Sequence, residues 1–94
     1  MYRIPFAYEV AAESRVEFEA VYGPDGEWAR FFGTDDAYVE TTLERTAADQ
    51  YLVTDHWRSR AHYERFLERN RARYDALSDA NSRLYPSERR LPPT

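Results

Sequence analysis

The chain has 94 residues, a formal net charge of −4 and no cysteine. That length fits one domain over residues 1–94 with a thin core, about 60–65% of the unfolded surface being buried at this size. It excludes a disulfide framework, a thiolate nucleophile and cysteine-bound zinc, and two histidines are too few for an all-protein metal site.

Tyr2 to Val10 alternates Tyr2, Ile4, Phe6, Tyr8 and Val10 on one side, the period of a half-buried strand, with Pro5 pointing to an edge or a bulge. Ser14-Arg15-Val16-Glu17 has the form of a capping box opening a helix with Phe18, Val21 and Tyr22 on one face. Gly23-Pro24-Asp25-Gly26 is a turn, and a short helix over Glu27 to Phe32 places Trp28, Phe31 and Phe32 together. The period returns to two over Tyr38 to Arg45. After a short connection at Thr46–Asp49, Gln50 to Trp57 makes the second arm of a hairpin.

Ser59 is the expected N-cap of the longest helix, whose apolar stripe runs through Tyr63, Phe66, Leu67, Asn70, Tyr74 and Leu77. Asp79 to Tyr85 leads away, Ser87 to Leu91 supplies a last strand, and Pro92-Pro93-Thr94 is expected to fray. The order β-α-β-β-α-β is that of a ferredoxin-like α+β unit. Large residues on both faces of the third strand predict a homodimer that packs sheet on sheet.

All thirteen basic residues are arginine, and fifteen residues are aromatic. So many rings predict a stacked interior, an aromatic-lined pocket or an interface. No apolar run approaches the roughly 20 residues of a membrane span, and no signal-peptide pattern is present, so a cytoplasmic protein without membrane contact is expected.

The strand-to-helix junction Tyr51-Leu52-Val53-Thr54-Asp55-His56-Trp57-Arg58-Ser59, followed by Ala61 and Phe66, resembles the hallmark of the antibiotic biosynthesis monooxygenase family. With Phe18, Tyr22 and Gly26-Glu27-Trp28-Ala29-Arg30-Phe31-Phe32, the likeness spans roughly residues 2 to 85. It implies a dimeric α+β barrel with a pocket in each subunit between sheet and helices. In the quinone-forming branch oxygen enters an aromatic polyketide with no cofactor, because the electron-rich phenol itself activates oxygen. A Trp ending the third strand and a Tyr six residues later serve that branch; Trp57 and Tyr63 stand at this spacing. Val53 replaces the Asn that the branch carries four residues before the Trp. The haem-degrading branch needs a first-strand Asn and a second-helix Trp and His. Here the first strand has no Asn, Phe66 stands where that Trp would fall, and the second half of the helix has no His.

The residues allow two readings at each candidate. Trp57 and Tyr63 can be packed core groups, or neutral donors that orient a phenol or carbonyl oxygen. Asp55 shares a face with Trp57, opposite His56, and can be either a buried partner of an Arg or Tyr, or a base with a raised pKa. Asn70 can bond to backbone or reach a ligand. Tyr22, Trp28, Phe32 and Phe66 are the expected walls for a hydrophobic or aromatic small molecule. His56 is expected at the dimer face and His62 in solvent.

Six arginines between Arg58 and Arg73 form a basic stretch, best read as a solvated helix face. An RNA-recognition module would need a basic, Gly-containing strand motif that is absent here, so no nucleic-acid partner is expected. Acylphosphatase chemistry would need a Gly-rich loop where Val10-Ala11-Ala12-Glu13 stands. The function expected is that of a cofactor-independent monooxygenase; the alternative is a non-catalytic homodimer that binds a hydrophobic ligand or supports a partner.

Overall fold

The computed structural model describes all residues, Met1–Thr94. Strand β1 (Tyr2–Glu9) leads through a 3-10 turn (Ala12–Ser14) to helices α1 (Arg15–Tyr22) and α2 (Glu27–Phe32). The hairpin of β2 (Tyr38–Ala47) and β3 (Gln50–Trp57) follows. Helix α3 (Arg60–Asn81), a second 3-10 turn (Ser82–Leu84) and β4 (Ser87–Arg90) complete the chain. The four strands form one antiparallel sheet in the order β2-β3-β1-β4, the ferredoxin-like arrangement.

Register decides which side chains meet. Ile4 lies opposite Asp55, Phe6 opposite Val53 and Tyr8 opposite Tyr51, while Thr41 flanks Asp55 from β2. Because side chains alternate, this set faces the helices and Arg3, Ala7, Leu52, Thr54 and His56 take the other face. The core is largely aromatic: Phe18 stacks on Tyr22 with centroids 4.5 Å apart, and Phe32, Phe66 and Tyr63 surround Trp57 at 5.2–5.6 Å.

Several local expectations are corrected. Ser14, the last residue of the 3-10 turn, has helical backbone angles and its side chain caps nothing, and Glu17 pairs instead with Arg83, so the capping box does not form. Strand β1 is internal, with β3 on one side and β4 on the other. Pro5 is tolerated because its carbonyl accepts from Leu91 N (2.9 Å). The edge of Pro5 that lacks an N–H therefore faces the point where regular β4 pairing stops, at Phe6–Arg90. Strand β2 runs to Ala47, leaving only Ala48 and Asp49 in the hairpin turn, which Arg45 braces through the Ala48 carbonyl (2.8 Å).

Helix α3 begins as expected, with Ser59 Oγ accepting from His62 N (3.2 Å). It continues past Asp79 to Asn81 and kinks at Asn70, whose angles (φ −123°, ψ 23°) leave the helical region. The last residues do not fray: Arg3 and Thr94 exchange two backbone hydrogen bonds of 3.0 Å. Exposed Arg60–Glu64 and Arg71–Asp75 pairs lace the arginine-rich face, as the spacing predicts. No helix is long and apolar enough to cross a membrane.

Candidate active site

Between the sheet and the helices lies a narrow cleft with about 20 Å³ of free space, room for one water molecule. Strand β3 contributes Val53 and Asp55, β1 contributes Phe6 and Tyr8, and β4 contributes Glu88; Tyr22, Trp28, Phe32, Tyr63, Tyr74 and Ser78 close it from the helices. The alternation of β3 points Asp55 inward, so a carboxyl group stands in an aromatic wall. Larger hollows elsewhere on the surface lack this combination of rings with a buried acid.

Asp55 is 6% exposed. Its Oδ1 accepts from Thr41 Oγ1 (2.8 Å), which shares a 2.6 Å hydrogen bond with the Tyr38 hydroxyl. No arginine reaches it, and Oδ2 has no protein partner. Burial pushes the carboxyl up to about 7, the Thr41 hydrogen bond opposing this only in part. Tyr63 lies in the same cleft, its hydroxyl pushed above its ordinary value chiefly by burial and so kept protonated as a donor. At the β4 side, Tyr8 donates to Glu88 (2.6 Å), and burial with this carboxylate nearby raises the Tyr8 pKa.

Of the expected site residues, the structure brings Asp55, Tyr63, Tyr22, Trp28 and Phe32 into one cleft. It leaves three outside. Trp57 is 0% exposed, enclosed by Phe32, Tyr38, Tyr63 and Phe66, and its Nε1–H meets no acceptor. It touches Tyr63 edge to face at 5.6 Å but does not line the cleft. Phe66 sits behind Trp57 and Phe32 in the core. Asn70 donates to the Phe66 carbonyl (2.9 Å), one turn back, which spends its amide on the helix kink.

Six lining residues escaped the sequence reading: Phe6, Tyr8, Val53, Tyr74, Ser78 and Glu88. The alternation of β1 and the stripe of α3 contained Tyr8 and Tyr74 as core positions. Glu88 joins them only through the pairing of β4 with β1, a contact 80 residues apart that no local pattern encodes.

No protein-family model matches the sequence, and no curated protein matches it. Solved structures do. A candidate antibiotic biosynthesis monooxygenase from Deinococcus radiodurans superposes with a TM-score of 0.75 at 13% identity, over 100% of this chain and 90% of that one. SnoaB, a cofactor-independent oxygenase from Streptomyces nogalater seen as an Asn-to-Ala variant, gives 0.72 at 20% identity, over 99% and 89%. A dimeric ferredoxin-like protein from an uncultured marine organism gives 0.62 at 9%, over 96% and 83%. The chain therefore has the fold of the antibiotic biosynthesis monooxygenase structures.

Proposed function

We propose that this protein is a cofactor-independent monooxygenase acting on an electron-rich, polyketide-like phenol in the cleft, with Asp55 as the base and Tyr63 as the donor that orients the reacting molecule. The observation that carries the proposal is the Asp55 carboxyl itself: buried in an aromatic cleft, free of any cation, with one oxygen unpaired and a pKa near 7. A carboxylate that gains a proton near neutrality can take one from a phenol or an activated ring carbon and return it later. The SnoaB likeness, a shared fold, supports the same class of reaction.

The reaction needs no external reductant. Asp55 removes a proton, leaving an electron-rich anion that adds dioxygen at carbon to form a peroxide. Loss of the second hydrogen on that carbon as a proton, with cleavage of the O–O bond, leaves one oxygen as a ring carbonyl. The other departs as water, taking the proton that Asp55 held. The substrate supplies all the electrons, so the protein need only bind, orient and move protons.

The proposal extends to a cytoplasmic homodimer in secondary metabolism, with no nucleic-acid partner. A dimeric structural neighbour supports the assembly, as does His56 on the outer sheet face, whose Nε2 is buried without a partner. Glu9, Glu40 and Glu44 oppose binding of a polyanion at the exposed sheet surface. A ligand-binding or scaffold homodimer is the second reading, favoured by the structural hydrogen bonds that occupy Asn70 and Asp55 Oδ1.

Oxygen uptake separates the two. Chelator-treated, flavin-free protein is mixed with a panel of anthrones and hydroquinones. The enzyme consumes one dioxygen per quinone formed, with kcat/KM rising tenfold per pH unit up to about pH 7 and then levelling. Asp55→Asn loses that limb and about 100-fold or more in rate. Binding without oxygen uptake across the panel overturns the enzymatic reading and leaves the binding one.

A further inference from the structure

The cleft at rest has room for one water, whereas pockets that take small molecules run to about 300 Å³ or more. A substrate therefore enters only if a wall moves. Most of the lining is buried, and the side toward solvent is formed by Phe6 and Glu88 of the sheet and by Tyr74 and Ser78 of α3. The sheet side is fixed, because Phe6 pairs with Arg90 and Tyr8 with Glu88 in the ladder of β1 and β4. The helix side is held differently. Before Asn70, α3 is pinned by the buried Tyr63 and Phe66; from Arg71 to Ala80 no residue is buried. Both ends of this stretch break the helix. Asn70 leaves the helical region, and Asn81 (φ −112°, ψ −2°) opens the second 3-10 turn. Their amides bond back within α3, so neither ties the stretch to the sheet or to α2. It meets α2 through Tyr74, edge-on to Trp28 (5.1 Å), and through Arg73, over the Phe31 ring (5.1 Å). Beside it lies an open hollow of about 500 Å³, walled by α2 on one side and by Arg73, Ala76 and Ala80 on the other.

We infer that residues 71–80 form a strap, hinged at Asn70 and Asn81, that closes the cleft at rest and swings into the hollow beside α2 to admit the substrate. The inference rests on the reading of the cleft as the substrate site. Such a swing withdraws Tyr74 and Ser78 from the mouth. It also fills the hollow, so apolar surface exposed on one side of the strap is partly covered again on the other. Asp55 on β3 and Tyr63 on the pinned half of α3 stay in place. Entry is thereby separated from chemistry, and the strap excludes water once it closes over the guest.

Because the chain has no cysteine, the strap can be tied at one chosen place. Glu27→Cys with Ala76→Cys puts two exposed thiols on opposite walls of the hollow, away from the cleft mouth. One sample is bridged with bismaleimidoethane and its twin is capped with N-ethylmaleimide. Hydrogen exchange reads the motion without a ligand. In the capped protein, amides of residues 74–80 should exchange about tenfold or more faster than those of residues 64–69, and the bridge should slow them by a similar factor. Stopped-flow quenching of tryptophan emission by juglone, a neutral two-ring quinone with one hydroxyl, reads the gate. Its rate in the capped protein should level off as juglone rises, and the bridge should lower it about tenfold or more. Exchange that is equal in the two halves of α3, or unaltered by the bridge, overturns the strap. Juglone entering bridged and capped protein at one rate overturns it too. If juglone binds neither form while the bridge still slows exchange, the strap stands and the aromatic-phenol reading of the cleft falls.

Discussion

A carboxyl group placed as Asp55 is ties folding to pH as well as to chemistry. Its folded pKa, about 7, lies above the ordinary 3.8. Between these values the unfolded chain has released a proton that the folded chain still holds, so rising pH favours unfolding. The loss is complete above about pH 7, on the order of 4 kcal/mol for a shift of this size. Asp55→Asn should flatten this slope in urea titrations between pH 4 and 8 and should be the more stable protein at the alkaline end. A slope that persists in Asp55→Asn would assign it to another group. Tyr63→Phe removes one hydroxyl without changing ring volume, so the fold should hold while turnover drops by about 10–1000-fold. Unchanged turnover would take Tyr63 out of the mechanism. The inward aim of Asp55 was legible in the alternation of β3. Its freedom from any arginine was not, since that depends on which helix residues reach the sheet.

Among the elements, the junction of α1 and α2 sets where Tyr22 and Trp28 meet the cleft. A side chain at Gly26 would bring a Cβ within 2.3 Å of the Val21 carbonyl oxygen and 2.5 Å of that of Ala20. Both are backbone atoms, so the two helices would have to move apart. Gly26→Ala should cost about 1–3 kcal/mol, read as a lower urea midpoint, and should disturb binding through the displaced Tyr22 and Trp28. An unaltered midpoint would mean the turn adapts freely. Hydrophobic spacing marked both helices and the turn between them, but not this contact, which is a matter of backbone approach. The apolar stripe of α3 likewise could not distinguish an Asn that faces a ligand from one that turns back on its own helix. Asn70 and Asn81 both donate to the carbonyl four residues earlier, to Phe66 and Leu77.

For the molecule as a whole, element order and alternation were enough to read the ferredoxin-like sheet, because each strand and helix shows its own period. Pairings between distant segments, such as β4 with β1 and Thr94 with Arg3, leave no local trace. Assembly is of that kind. Light scattering after size exclusion should give about twice 11.2 kDa. If the sheets pack face to face, a charge at His56 opposes association, and His56→Asp should shift the population toward monomer at micromolar concentration. A stable monomer in the unaltered protein would remove the dimer and leave the outer sheet face in water.

The two tryptophans occupy different surroundings, and that makes them separate optical reporters. Trp57, caged by rings with its N–H unpaired, should emit at short wavelength and shift to the red only when the core opens. Trp28 stands against the cleft, where a quinone guest would darken it while the fold is intact. Recorded with Trp28→Phe as the reference, one emission spectrum then follows occupancy and unfolding in the same sample, with no dye attached.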